Sequence, residues 1–347
     1  MKKIDLNFSQ ALPGISAMNN TRKTTYQQRF EGITATSMSM KGRRRSQEDT
    51  HLMTELPSGI KMFAVFDGHG SNIISNYVSD NIAFIFRELT PGFAPEAITH
   101  GIQQLEKELF IEAGINPVDF SICNCRDTLK NMSILPDEVD LLEKFKNKGV
   151  FQTNRLNADM KMRLLEQKRD YPDVTNIEIF ARRELCLKSG STAIIAFLDG
   201  NRLVFASIGD SQGILVKQDD VETPPMAIDI QPRLHKFDDE EEASRATEAG
   251  QAPFNLNDCL RVGGLNVSRS IGDFDSKLVP DIPQNKQPIC STPEITEIEL
   301  NLEQDRAIIL ACDGVFENKN SQEVVDLMYH ELTEENCSES MGRVLDK

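Results

Sequence analysis

Ser191-Thr-Ala-Ile-Ile-Ala-Phe-Leu198, Asn201-Arg-Leu-Val-Phe-Ala-Ser-Ile208 and Gly213-Ile-Leu-Val216 follow one another as short apolar runs separated by turn residues. Runs of this length and composition read as strands. Working outward, Gly59 to Phe66 precedes them with the same pattern, and Glu294 to Leu300 and Arg306 to Cys312 follow. Asn72–Leu89, Pro95–Ala113, Asp239–Ala249 and Gln322–Leu332 carry apolar residues at spacings of three and four, which predicts helices. A strand, two helices, several strands and a helix is an α+β order without strict alternation. It favours a mainly antiparallel sheet core with helices on its faces, with a doubly wound parallel sheet as the alternative.

The 347 residues are 39% hydrophobic and 27% charged, an ordinary globular composition with enough chain for one large domain or two. The net charge of −16 argues against broad binding to nucleic acid or an anionic membrane surface. No apolar run approaches the roughly 18 residues of a membrane span, and Met1–Phe8 lacks the apolar region of a secretory signal. The expectation is a soluble intracellular protein, cytoplasmic or nuclear and not secreted. Seven cysteines, an odd count without zinc spacing, read as free thiols. Residues 1–30 are polar and read as a loosely ordered arm. Residues 114–187, with helical windows near Asp137–Lys146 and Asn157–Lys168, read as an insertion, either a surface elaboration or a docking arm for a partner protein. The acidic run Asp238–Glu242 reads as a solvated helix start.

Three of the strands end alike. Phe63-Ala-Val-Phe-Asp67-Gly68, Val204-Phe-Ala-Ser-Ile-Gly-Asp210-Ser211 and Ile308-Ile-Leu-Ala-Cys-Asp313-Gly314 run apolar and stop on an aspartate followed by a small residue. One such step is an ordinary hairpin signal. Three on one edge would converge three carboxylates, a hard oxygen donor set that selects Mg²⁺ or Mn²⁺. Upstream, Gly42-Arg43-Arg44-Arg45-Ser46-Gln47-Glu48-Asp49 sets three arginines before two acids, which reads as a solvated turn or as a phosphate cradle beside a metal site. His69, close behind Asp67 in Asp67-Gly68-His69-Gly70, is well placed for a proton donor.

Together with Ser189-Gly-Ser-Thr-Ala193 and Val267-Ser-Arg-Ser-Ile-Gly-Asp273, these segments resemble, in order and context, the motifs of the metal-dependent type-2C protein serine/threonine phosphatases. The resemblance covers roughly residues 33–335 apart from the insertion. It implies a four-layer α-β-β-α sandwich of two stacked antiparallel sheets flanked by helices, in a single domain over residues 31–347. It also implies two Mn²⁺ or Mg²⁺ ions in a cleft at one end, with a weaker third. The implied activity is hydrolysis of phosphoserine and phosphothreonine in phosphoprotein substrates, by direct attack of a metal-bridging hydroxide. Under the resemblance, Asp67 bridges both ions, Gly68 offers a carbonyl, and Glu48 and Asp313 complete the second ion. Asp49 supports the metal waters, Asp210 and Glu317 bind the weaker third ion, Arg44 holds the substrate phosphate, and His69 protonates the departing oxygen.

The segment Gln231–Val262 resembles the family's mobile flap, and the chain's departures from the family pattern at Gln212 and Asp229-Ile-Gln-Pro232 imply that this segment reads a different substrate surface. The family closes on an Asp-Asn step whose aspartate binds metal, and no such step follows Asp313 here. Either the C-terminal end of the family domain is missing or an acid such as Asp346 substitutes. That departure leaves a weakly active or inactive phosphatase-like binding protein as the alternative reading. A parallel-sheet metal phosphohydrolase working through an aspartyl phosphate is a third.

Overall fold

A computed structural model describes residues 20–44, 46–112, 187–220, 222–277, 279 and 281–329. Its centre is a five-stranded sheet of β3 (Thr50–Glu55), β4 (Lys61–Phe66), β7 (Ala193–Asp199), β8 (Arg202–Ile208) and β14 (Glu294–Glu299), in the order β14-β8-β7-β4-β3. Every pairing in it is antiparallel. Strand residues alternate between faces, so Ala193, Ile195 and Phe197 point one way and Ile194, Ala196 and Leu198 the other. All six are buried, which is why β7 reads as an unbroken apolar run.

One face of this sheet, through Met62, Phe66, Ile195 and Phe197, packs on Ile74, Val78 and Ile82 of α1 (Ile73–Ile85). Ile98, Ile102, Leu105 and Leu109 of α2 (Glu96–Glu112) complete that layer. The first set repeats at four residues and the second at three and four, so each forms one stripe along its helix. On the other face, Ile194, Ala196 and Phe205 meet Leu215 of β9 (Gln212–Lys217) and Ile308 and Leu310 of β15 (Asp305–Ala311). These strands belong to a second antiparallel sheet ordered β10-β9-β15, where β10 is Met226–Asp229. The outer face of that sheet, Ile214, Val216 and Ile309, packs on Val324, Val325 and Met328 of α5 (Ser321–Tyr329). The layers therefore run helix, sheet, sheet, helix. The sheets among the described residues are antiparallel, which removes the doubly wound alternative.

Part of the expected arm is ordered. Residues 20–30 form β1 (Asn20–Phe30), which pairs antiparallel with β2 (Ile33–Gly42) across a turn where Gly32 takes φ 72°. The strand is mostly polar and so carries no apolar alternation. Its place comes from pairing with β2 and from Phe30, whose ring meets Phe63 edge-on at 5.4 Å. Residues 1–19, most of the insertion, Cys123, Cys125 and Asp346 lie outside the described residues, as does the expected helix beyond Tyr329.

The flap-like segment holds α3 (Glu240–Glu248), capped by Asp239 through the backbone N–H groups of Glu241 and Glu242. It also holds a hairpin of β11 (Phe254–Leu256) and β12 (Cys259–Arg261). The acidic run does start a helix, but Glu242 is only 1% exposed, because Arg245 and Arg269 draw it inward. Among the described residues no helix is long and apolar enough to cross a membrane, and Cys259, Cys290 and Cys312 are free.

Candidate active site

Strands β4 and β8 are each antiparallel to β7, so they run the same way and their C-terminal ends share one edge. Strand β3 is antiparallel to β4 and starts at that edge. Asp67 therefore follows β4, Asp210 follows β8, and Glu48 and Asp49 precede β3 at the same end of the sandwich. Asp313 opens the short helix α4 (Asp313–Phe316) directly after β15. Its charge acts on Asp49, Asp67 and Asp210, which places it with them. Four aspartates separated by up to 264 positions in sequence are thus gathered by strand direction.

Their electrostatics show what is lacking. Burial pushes the Asp67 carboxyl up to about 9, helped by the charges of Asp49, Asp313 and Asp210. Asp49, hydrogen-bonded to Asp67, is also raised, chiefly by burial. Asp210 is raised by burial and by Asp313, against the pull of Lys236, whose Nζ lies 3.1 Å from Oδ2. Like charges brought together out of water disfavour ionisation unless a cation joins them. The Cys312 thiol donates to Asp49 Oδ2 at 3.7 Å, and one ligand atom each from Asp49, Asp67 and Cys312 lie within 4.8 Å of one another. Burial pushes the Cys312 thiol well above its usual range, so it is a neutral neighbour and the donors are oxygens. That donor set fits Mg²⁺ or Mn²⁺.

The backbone of Gly68 touches that of Glu48, and a Cβ there would collide with the Glu48 carbonyl oxygen and approach Ser75 Oγ to 2.7 Å. Ser75 Oγ of α1 donates to the same carbonyl at 2.5 Å, and Ser46 Oγ donates to Glu48 Oε1 at 2.7 Å. Strand β5 (Gly68–His69) pairs with β6 (Gly190–Ser191), which fixes His69. His69 Nε2 lies 2.7 Å from Asp273 Oδ2, and the ring is 29% exposed. Burial alone would lower the imidazole, but the bond to Asp273 and its charge outweigh that and raise it.

Asp273 follows β13 (Ile271–Gly272); it accepts from Ser270 Oγ at 2.5 Å and donates its N–H to Ser189 O at 2.8 Å. The sequence motif ending in Asp273 gives this residue no role of its own. Its partner lies 204 positions away, and the closing aspartate of the motif was the only signal. Arg44 and Glu317 are exposed, on the β2–β3 connection and at the end of α4. No hydrogen bond or ion pair joins either side chain to another described residue.

A four-layer α-β-β-α sandwich with an acidic centre at one end of its stacked sheets is the class that fold and site define. A crystal structure of a phosphatase from a pathogenic strain of Toxoplasma gondii shares the fold, with a TM-score of 0.57 and 19% identity over 88% of this chain and 84% of that one. Residues 128–345 match the family model described as "Protein phosphatase 2C", and the chain belongs to that family. It is 26% identical over 329 residues to "Probable protein phosphatase 2C 4" of Paramecium tetraurelia, covering 94% of this chain and 87% of the relative. It is 27% identical over 315 residues to "Probable protein phosphatase 2C 60" of Arabidopsis thaliana, covering 89% and 78%.

Proposed function

We propose that the protein is a Mn²⁺- or Mg²⁺-dependent phosphatase that hydrolyses phosphoserine and phosphothreonine in proteins. The observation that carries this reading is the convergence of Asp49, Asp67 and Asp210, raised by burial and by neighbouring acid charge, beside Asp313 and the His69–Asp273 pair. When bound, the cations supply an activated water and neutralise charge on the phosphate oxygens.

Asp67, the Gly68 carbonyl, Glu48 and Asp313 would hold two ions, with Asp49 orienting the site through its bond to Asp67. Asp210 and Glu317 would hold the weaker third. Lys236 competes for Asp210, so that ion must displace an existing ion pair. Arg44, exposed beside the cluster's entry loop, presents a planar fork suited to paired bonds with phosphate. His69 would give a proton to the departing serine or threonine oxygen. Asp273 occupies Nε2, and no described residue bonds Nδ1, so Nδ1 is the nitrogen left to donate.

The test is hydrolysis of a phosphothreonine peptide across a Mn²⁺ titration, with Asp67→Asn and a chelator as blanks. Metal-dependent turnover absent from both blanks supports the phosphatase. A folded sample that shows none at any Mn²⁺ concentration overturns it in favour of a phosphatase-like binding protein.

A further inference from the structure

Glu106 lies on α2, facing inward and 3% exposed, beside a lysine equally removed from water. Glu106 Oε1 accepts from Lys277 Nζ in a close contact and from the Gly272 backbone N–H at 3.3 Å. Its Oε2 accepts from Gln284 Nε2 at 2.5 Å and from Ser291 Oγ in a second close contact. Lys277 Nζ also donates to Ser270 O at 2.7 Å. One carboxylate on a helix thus binds the chain at Gly272 and Lys277, and through the lysine at Ser270. These points bracket Asp273 from both sides.

Asp273 needs that bracket. It sits in the left-handed region at φ 49°, directly after Gly272 at φ 84°, a conformation that costs a non-glycine residue and persists only where the surroundings impose it. A buried ion pair is a poor way to add stability alone, because desolvating two charges offsets most of their attraction. It is well suited to selecting one backbone conformation, since the bonds form only when the donors fall at the right places.

We infer that Glu106 and Lys277 are positioning residues for His69, acting through the segment 270–277 that presents Asp273 to the imidazole. This inference rests on the proposed phosphatase reading for its kinetic consequence, and on geometry alone for its structural one. The pair bonds none of the residues proposed to hold metal or phosphate. It sets the orientation of the proton donor two contacts away.

The decisive variant is the double substitution Glu106→Leu with Lys277→Met, because removing both charges avoids leaving one buried and uncompensated. Its Tm is expected within a few degrees of wild type. Its kcat on the phosphothreonine peptide is expected to fall about tenfold, part of the 10²- to 10⁴-fold a general acid contributes. KM and the half-saturating Mn²⁺ concentration stay within about twofold, as does turnover of p-nitrophenyl phosphate, whose leaving group needs no proton.

A double variant that matches wild type on both substrates, or loses both equally, overturns the inference. A second arm does not depend on turnover. Nitrogen NMR of the chelator-treated protein, selectively labelled at histidine, reads the His69 Nε2–H held by Asp273. That proton is expected to be protected in wild type and to exchange faster in the double variant, and identical protection in the two overturns the inference. Wild-type protein without Mn²⁺-dependent turnover would break the proposed function while leaving the NMR arm to decide the positioning role.

Discussion

Glu242 and Asp67 are both carboxylates held inside the protein, and their surroundings push them in opposite directions. Glu242 accepts from Arg269 Nη2 at 2.6 Å, Arg245 Nη1 at 2.7 Å and Ser268 Oγ at 2.5 Å. Burial alone would raise its carboxyl, but Arg269 and Arg245 hold it down at about 2. Asp67 is carried to about 9, with three further acids around it and, among the described residues, no cationic side chain bonded to it. An acid that serves the fold arrives with its counter-charge in the same chain. The acids at the sheet ends are short of positive charge, and the deficit has the sign and the hard-oxygen character of a divalent cation site.

The largest expected effect is at Asp67. Asp67→Asn should lower Mn²⁺-dependent turnover by about 10³-fold or more, the scale of several kcal/mol of lost charge stabilisation. Calorimetry should show Mn²⁺ raising the Tm of wild type and leaving the variant unmoved. With chelator present the variant should melt no lower than wild type, since it has lost one of several mutually repelling carboxylates.

Glu242→Gln should behave in the reverse way. Arg245 and Arg269 would be left buried without their partner, a cost of about 3–5 kcal/mol, which lowers Tm by roughly 10 °C whether or not Mn²⁺ is present. Equal Tm losses for the two variants in chelator would break the contrast between the regions.

Acid titration sharpens it further. A carboxyl held below its ordinary value stabilises the fold fully above that value and loses the contribution as pH falls through the lowered one. The ordinary value for Glu242 is 4.5 and the folded one about 2. Urea denaturation of wild type should therefore show stability falling between about pH 4.5 and about 2, with that component missing from Glu242→Gln. The smallest effect belongs to Arg202→Ala. Arg202 makes two bonds to Glu297 at 2.8 and 2.9 Å, yet Glu297 stands in water, where such pairs contribute little. Its Tm should be indistinguishable from wild type, and a large drop would mean that bond geometry matters more than burial.

The same contrast explains what was legible beforehand. The apolar runs at β4, β7, β8 and β15 and the aspartates closing three of them are local patterns, and those strands lie where the sequence placed them. Strand β1 was not separable from the polar arm of residues 1–30, because Thr, Gln, Lys and Arg dominate there and the order comes from pairing with β2. Glu106 looked like any acid on an amphipathic helix, and Glu242 like one member of a solvated run. Apart from Arg245, three positions from Glu242, their partners lie between 26 and 185 positions away, a distance over which periodicity carries no information. The arginine run was readable as a phosphate cradle, but the choice of Arg44 within it and the role of Glu317 came only through the resemblance, and their exposure leaves both roles to the proposal.

Strand direction at the acidic end also sets a timetable. Asp67 and Asp313 share a centre but are 246 residues apart in the chain. At roughly 5–20 residues per second, a ribosome releases the second about 12–50 s after the first. Until then the growing chain holds only part of the carboxylate set, so under the proposed function hydrolytic competence would arrive only late in synthesis. An unfinished chain is in this sense its own safety catch.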